Sequence, residues 1–80
     1  MDMAMRWERG TDFVAISSAH STDVQGAVWH VETSLEFKDL PIELRAQVPK
    51  TDDEGYQRLV NIVSKWAEEN GYQLVTDDAS

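Results

Sequence analysis

One stretch decides the fold: TDDEGYQRLVNIVSKWAEENGYQLV, residues 51–75. Its apolar residues recur at helical spacing and form one stripe of an amphipathic helix. Thr51 and Glu54 have the spacing of a capping box, so the helix is predicted to begin with Thr51 as its N-cap. Asn70-Gly71 is predicted to end the helix, and Tyr72 to Val75 to form a short strand. The stripe consists of Tyr56, Leu59, Val60, Val63, Trp66 and Ala67.

Upstream of the helix, residues 29–37 alternate between apolar and polar side chains, the period of two that is typical of a strand. Two further strands are predicted at residues 3–8 and 13–17, joined by a turn in which Gly10 supplies the backbone freedom. Residues 18–26 are polar and rich in turn-forming residues, and they are predicted to form a loop.

The segment from Pro41 to Val48 fits two structures. Its apolar residues alternate with polar ones, which favours a strand. A short helix that begins at Pro41 is the alternative, because proline is favoured at the first helical position. We prefer the strand, because a helix would point Ile42 away from Leu44, whereas a strand places the apolar side chains on one face.

These elements predict an α+β fold: an antiparallel sheet of four to five strands with one C-terminal amphipathic helix packed on one face. Residues 1–80 are predicted to form a single small domain with a frayed tail at 76–80. A small core leaves self-association open, so both a monomer and a homodimer are retained. Six residues are expected near the centre of the core: Trp29, Leu35, Phe37, Leu59, Val63 and Trp66. The other face of the sheet is predicted to be wet and to carry His30, Glu32, Ser34, Glu36, Glu43, Arg45 and Gln47.

The composition is strongly acidic. Fifteen Asp and Glu stand against seven Lys and Arg, which gives a formal net charge of −8. Such a charge argues against direct binding to nucleic acid or to anionic lipid, because both would repel the chain. The absence of cysteine excludes disulfides and thiolate metal sites. No run approaches the roughly 20 apolar residues of a membrane span. A cytoplasmic protein without membrane contact is therefore expected.

Catalytic and metal-binding chemistry find little support in the pattern. His20 lies near Ser18, Ser21 and Asp23, but these neighbours share one polar segment, and a catalytic triad needs rigid elements to fix its geometry. His30 and Glu32 are two apart on a predicted strand, and only Glu43 offers an obvious third metal ligand. We therefore predict no enzymatic activity, no metal and no cofactor.

The acidic side chains remain as the candidate functional groups. A fixed anionic surface attracts basic partners and competes for sites built to hold phosphate. The partner is therefore expected to be a basic surface of another protein, such as a nucleic-acid-binding complex. Contact is predicted through two groups, one on the sheet face and one at the helix start: Glu32, Glu36 and Glu43, and Asp52, Asp53 and Glu54.

In size, acidity and lack of cysteine, the whole chain resembles the small anti-defence proteins of phages and mobile elements, such as anti-CRISPR proteins. This resemblance implies a non-enzymatic inhibitor and transfers no individual residues.

Residues 56–75 also resemble the helix-to-strand passage of gyrase-inhibitor-like effector-binding domains. That likeness implies a ligand-binding module that forms its pocket by dimerising, with Trp29, Trp66 and Tyr72 as candidate pocket residues. An antitoxin or immunity protein is a third alternative, which would block a basic partner electrostatically as an anti-CRISPR-like inhibitor would.

Overall fold

A computed structural model describes residues 3–20 and 26–75, apart from the side chains of Met3, Ala4 and Phe37. Within these residues, five antiparallel strands form one sheet in the order β4-β3-β2-β1-β5. A helix, α1, packs on one face of the sheet, which confirms the predicted α+β fold. The elements are β1 (Met3–Arg9), β2 (Asp12–His20), β3 (Ala27–Thr33), β4 (Val48–Pro49), α1 (Asp53–Glu69) and β5 (Gln73–Val75).

The core lies between α1 and the sheet. Trp7 in β1 pairs with Val14 in β2 and with Leu74 in β5, and this row faces the helix. The predicted stripe of α1 is confirmed: Leu59, Val63 and Ala67 are buried, and Tyr56, Val60 and Trp66 pack at its margins. Aromatic pairs close two parts of this layer, since ring centroids are 5.1 Å apart in Trp29–Tyr56 and 5.3 Å apart in Trp66–Tyr72.

The opposite face of the sheet carries both signs of charge. Arg6, Ala15 and Glu32 form one row across β1, β2 and β3. The Arg6 guanidinium lies 4.0 Å from the centroid of the Phe13 ring, and its Nε donates to Glu8 at 2.6 Å. Arg45, the cation predicted for this face, lies instead at the end of a 3-10 helix outside the sheet. Arg6 is the cation on the face itself, placed there by the alternation of β1.

The helix begins one residue later than predicted. Asp52, not Thr51, is the N-cap, and its carboxylate accepts a hydrogen bond from the Gly55 N–H at 2.9 Å. The predicted capping box is therefore wrong, because Gly55 and not Glu54 occupies the third helical position. Gly55 is buried where a Cβ atom would lie 2.8 Å from Val48 Cγ1, which explains a glycine in the first turn. The predicted stop at Asn70-Gly71 is confirmed by the positive φ of 82° at Gly71.

Residues 34–47 differ most from the prediction. Strand β3 ends at Thr33, and two 3-10 helices follow at Phe37–Asp39 and Ile42–Leu44. The predicted strand over 42–48 is wrong, with only Val48–Pro49 forming a strand. The alternative of a short helix is right, but the helix begins at Ile42 and Pro41 is its N-cap. Leu40 and Leu44, four residues apart, are buried, while Ile42 is 78% exposed. The segment is helical and not extended, because the helical spacing lets both leucines pack into the core beneath α1.

The remaining differences are local. Strand β2 continues to His20, so Ser18 to His20 are strand and not loop. The predicted core side chain of Phe37, the tail at 76–80, and Ser21 and Asp23 lie outside the described residues. No helix in the described part of the chain has the length and apolar character needed to cross a membrane.

Candidate functional site

The three glutamates predicted for the sheet face do not share a surface. Glu32 alone lies on that face, with its carboxylate 3.4 Å from the Ser17 hydroxyl. Glu36 lies in the loop after β3 and pairs with Lys38 at 3.4 Å, with both side chains exposed. Glu43 lies on the second 3-10 helix, beside α1. The early end of β3 separates them, so the predicted docking surface on the sheet face is not formed.

The structure brings Glu43 together with the start of α1 instead. A groove of about 300 Å³ runs between the segment 43–49 and α1. We call it the α1 groove. Glu43 and Asp52 both line it, and Asp53 and Glu54 follow in the adjoining first turn of the helix. Four of the six predicted contact residues therefore lie at or next to one groove. Its lining residues are Glu43, Ala46, Gln47, Val48, Pro49, Asp52, Gly55, Arg58, Leu59 and Ile62.

Local interactions fix both walls of the α1 groove. On one wall, the buried side chain of Leu44 anchors the 3-10 helix, and the Leu44 N–H donates to the Pro41 carbonyl at 2.9 Å. Arg45 Nε donates to the Leu40 carbonyl at 2.9 Å and holds the same segment. On the other wall, the cap at Asp52 fixes the first turn of α1. Glu43 is thus presented on a backbone that is tied to the core.

The centre of the groove is apolar, which the sequence pattern did not predict. Ile62 lies outside the predicted helical stripe and is 39% exposed. It lines the α1 groove and also an adjoining hollow formed with Glu43, Lys65, Trp66 and Glu69. The sequence signal for this site is an isoleucine in the helix that does not belong to the buried stripe. Ile62 therefore gives the groove and the hollow one shared apolar side chain that is open to solvent.

The charges around this centre are mostly unpaired. Among the described residues, Glu43, Asp53, Glu54 and Glu69 have no ion pair. Three carboxylates and two cations line the groove and the hollow: Glu43, Asp52 and Glu69, and Arg58 and Lys65. With Asp53 and Glu54 beside them, the surface is anionic around an apolar centre.

The geometry gives little support to a metal site or to a ligand pocket at the residues considered for them. Within residues 3–20 and 26–75, no three His, Asp or Glu side chains converge as a metal site, so His30, Glu32 and Glu43 are not one ligand set. Trp29 is engaged with Tyr56, and Trp66 with Tyr72. Trp66 borders the hollow beside Glu43, whereas Tyr72 lines a different groove beside Leu74.

Comparison with protein-family models, with curated proteins and with solved structures gave no match to this chain.

Proposed function

We propose that this chain is a non-enzymatic, protein-binding inhibitor that docks its carboxylates on a basic, nucleic-acid-binding surface of a partner protein, in the manner of anti-CRISPR proteins. The observation that carries the proposal is the set of exposed carboxylates without ion pairs around the α1 groove. Such a surface attracts Lys and Arg side chains and excludes phosphate from them. The cysteine-free chain suits a reducing cytoplasm, where we place the interaction.

The proposal moves the contact surface away from the sheet. Glu32 shares its face with Arg6, and Glu36 is paired with Lys38, which weakens the attraction of both for a basic partner. Among the described residues, Glu43 and Glu54 make no ion pair, although Arg58 lines the same groove as Glu43. Of the predicted contact residues, those beside α1 are therefore the ones we propose to act.

Two double variants of equal charge test this assignment. Immobilised wild type, Glu43→Gln/Glu54→Gln and Glu32→Gln/Glu36→Gln are each exposed to a lysate of the native host, and retained proteins are identified by mass spectrometry. Asp52 is left intact because it caps the helix. We expect the Glu43/Glu54 variant to lose the partner and the Glu32/Glu36 variant to keep it. The reverse result would return the contact to the sheet face and the loop after β3.

Salt dependence and competition test the mechanism itself. Screening shortens the reach of charges, so retention should fall between about 50 mM and about 500 mM salt. A purified partner should also lose nucleic-acid binding as the chain is added. Equal retention at both salt concentrations would refute electrostatic docking, and undiminished nucleic-acid binding would refute inhibition.

A further inference from the structure

We infer that the α1 groove takes a single aliphatic or aromatic side chain from a segment of the partner protein in which Lys or Arg residues flank that side chain. This inference rests on the proposed function and adds the apolar part of the contact. Charge alone would need only an acidic surface. The structure places that charge around an apolar floor, formed by Val48, Leu59 and Ile62.

The size and shape of the groove limit its occupant. Its volume of about 300 Å³ is at the lower end of the range for small-molecule sites, and it is open along the surface. Leu59 is buried at its floor, whereas Ile62 is 39% exposed beside it. A side chain inserted here rests on Leu59, covers Ile62 and removes the exposed surface of Ile62 from water. Binding sites with an apolar anchor at the centre and polar groups at the rim concentrate their affinity in that anchor.

The charge around the groove selects the partner segment. Glu43 and Asp52 line the groove, and Asp53 and Glu54 lie next to it, against one lining cation, Arg58. Carboxylates repel a phosphate backbone or an anionic lipid, and they attract Lys and Arg. A second copy of this chain would bring its own net charge of −8 to the same rim. A basic segment of a different protein is therefore the occupant to which the surface is complementary.

A random linear peptide library displayed on phage tests the inference without knowledge of the partner. Wild-type chain is the bait at low salt, and the best enriched peptide is synthesised for affinity and NMR measurements. We expect enriched peptides to share one aliphatic or aromatic residue with Lys or Arg close to it. The bound peptide should shift the methyl signals of Val48, Leu59 and Ile62. Absence of enrichment, enrichment of acidic peptides, or shifts confined to other residues would overturn the inference.

Matched variants separate the anchor from the charge. Ile62→Ser should weaken binding of that peptide at least about tenfold, because it removes most of the apolar contact. Leu74→Ser is the control: Leu74 is 48% exposed, but it lines a different groove, so affinity should not change. If Ile62→Ser has no effect while salt still weakens binding, the groove inference fails and the proposed electrostatic function stands. If Ile62→Ser weakens binding that salt does not affect, the apolar anchor stands, whereas the basic flanks and the proposed electrostatic function fail.

Discussion

Replacement of Gly55 by alanine is the sharpest test of how the groove wall is built. An added Cβ would lie 2.8 Å from both Val48 Cγ1 and the Asp52 carboxyl carbon, and closer still to one Asp52 oxygen. Ordinary carbon contacts are about 3.5–4.0 Å, so both neighbours must move. Moving Asp52 weakens the N-cap, at a cost of about 0.5–2 kcal/mol. Crowding against Val48 costs about 1–3 kcal/mol more.

The helix propensity of alanine opposes these costs by at most about 1 kcal/mol. We therefore expect Gly55→Ala to lower the free energy of unfolding by about 2 kcal/mol, and Tm by about 10 °C. Urea and thermal unfolding followed by far-UV circular dichroism measure both. Asn61→Ala is the control, because Asn61 is an exposed residue of the same helix and its replacement should stabilise slightly. An unfolding midpoint of Gly55→Ala equal to or above that of wild type would refute the close packing described here.

A double variant locates the cost of the added methyl group. Val48→Ala removes Val48 Cγ1, one of the atoms that the new Cβ would meet. Gly55→Ala should therefore cost less in the Val48→Ala background than in wild type. An equal cost in both backgrounds would assign the whole effect to the cap at Asp52.

Three further changes test other contacts, each by the urea midpoint. Asp52→Ala should cost about 1 kcal/mol whereas Thr51→Ala should cost less than about 0.5 kcal/mol, because Asp52 makes the capping bond; the opposite ranking would restore Thr51 as the cap. Tyr72→Phe should be neutral or stabilising, because the buried Tyr72 hydroxyl has no hydrogen-bond partner within residues 3–20 and 26–75; a loss above about 1 kcal/mol would mean that the hydroxyl is bonded. Arg9→Ala should cost about 1–2 kcal/mol, because Arg9 donates to the Asn70 carbonyl at 2.7 Å at the end of α1 and stacks on Tyr72; an unchanged midpoint would show that this link contributes nothing.

The acidic surface shows where sequence patterns fail. Alternation placed Glu32, Glu36 and Glu43 on one face, but it assumed that β3 and its successor are long strands. The structure ends β3 at Thr33 and forms a 3-10 helix at Ile42–Leu44. The six predicted residues therefore divide between the open sheet face, a loop and the α1 groove. The apolar part of the groove was not predicted, because Ile62 and Glu43 are nineteen positions apart in the sequence and only the fold brings them to one groove.

The sequence by itself determined the elements whose signal is local. The helical stripe of α1, the β1–β2 hairpin, residues 29–33 of β3 and the stop at Gly71 follow from periodicity and backbone freedom within a few neighbouring residues. Tertiary structure decided the cap residue, the conformation of residues 34–47 and the positions of Glu36 and Glu43. Both an alternating and a helical pattern fit residues 41–48. Burial of Leu40 and Leu44 beside α1 selects between them, and that contact exists only once the chain has folded.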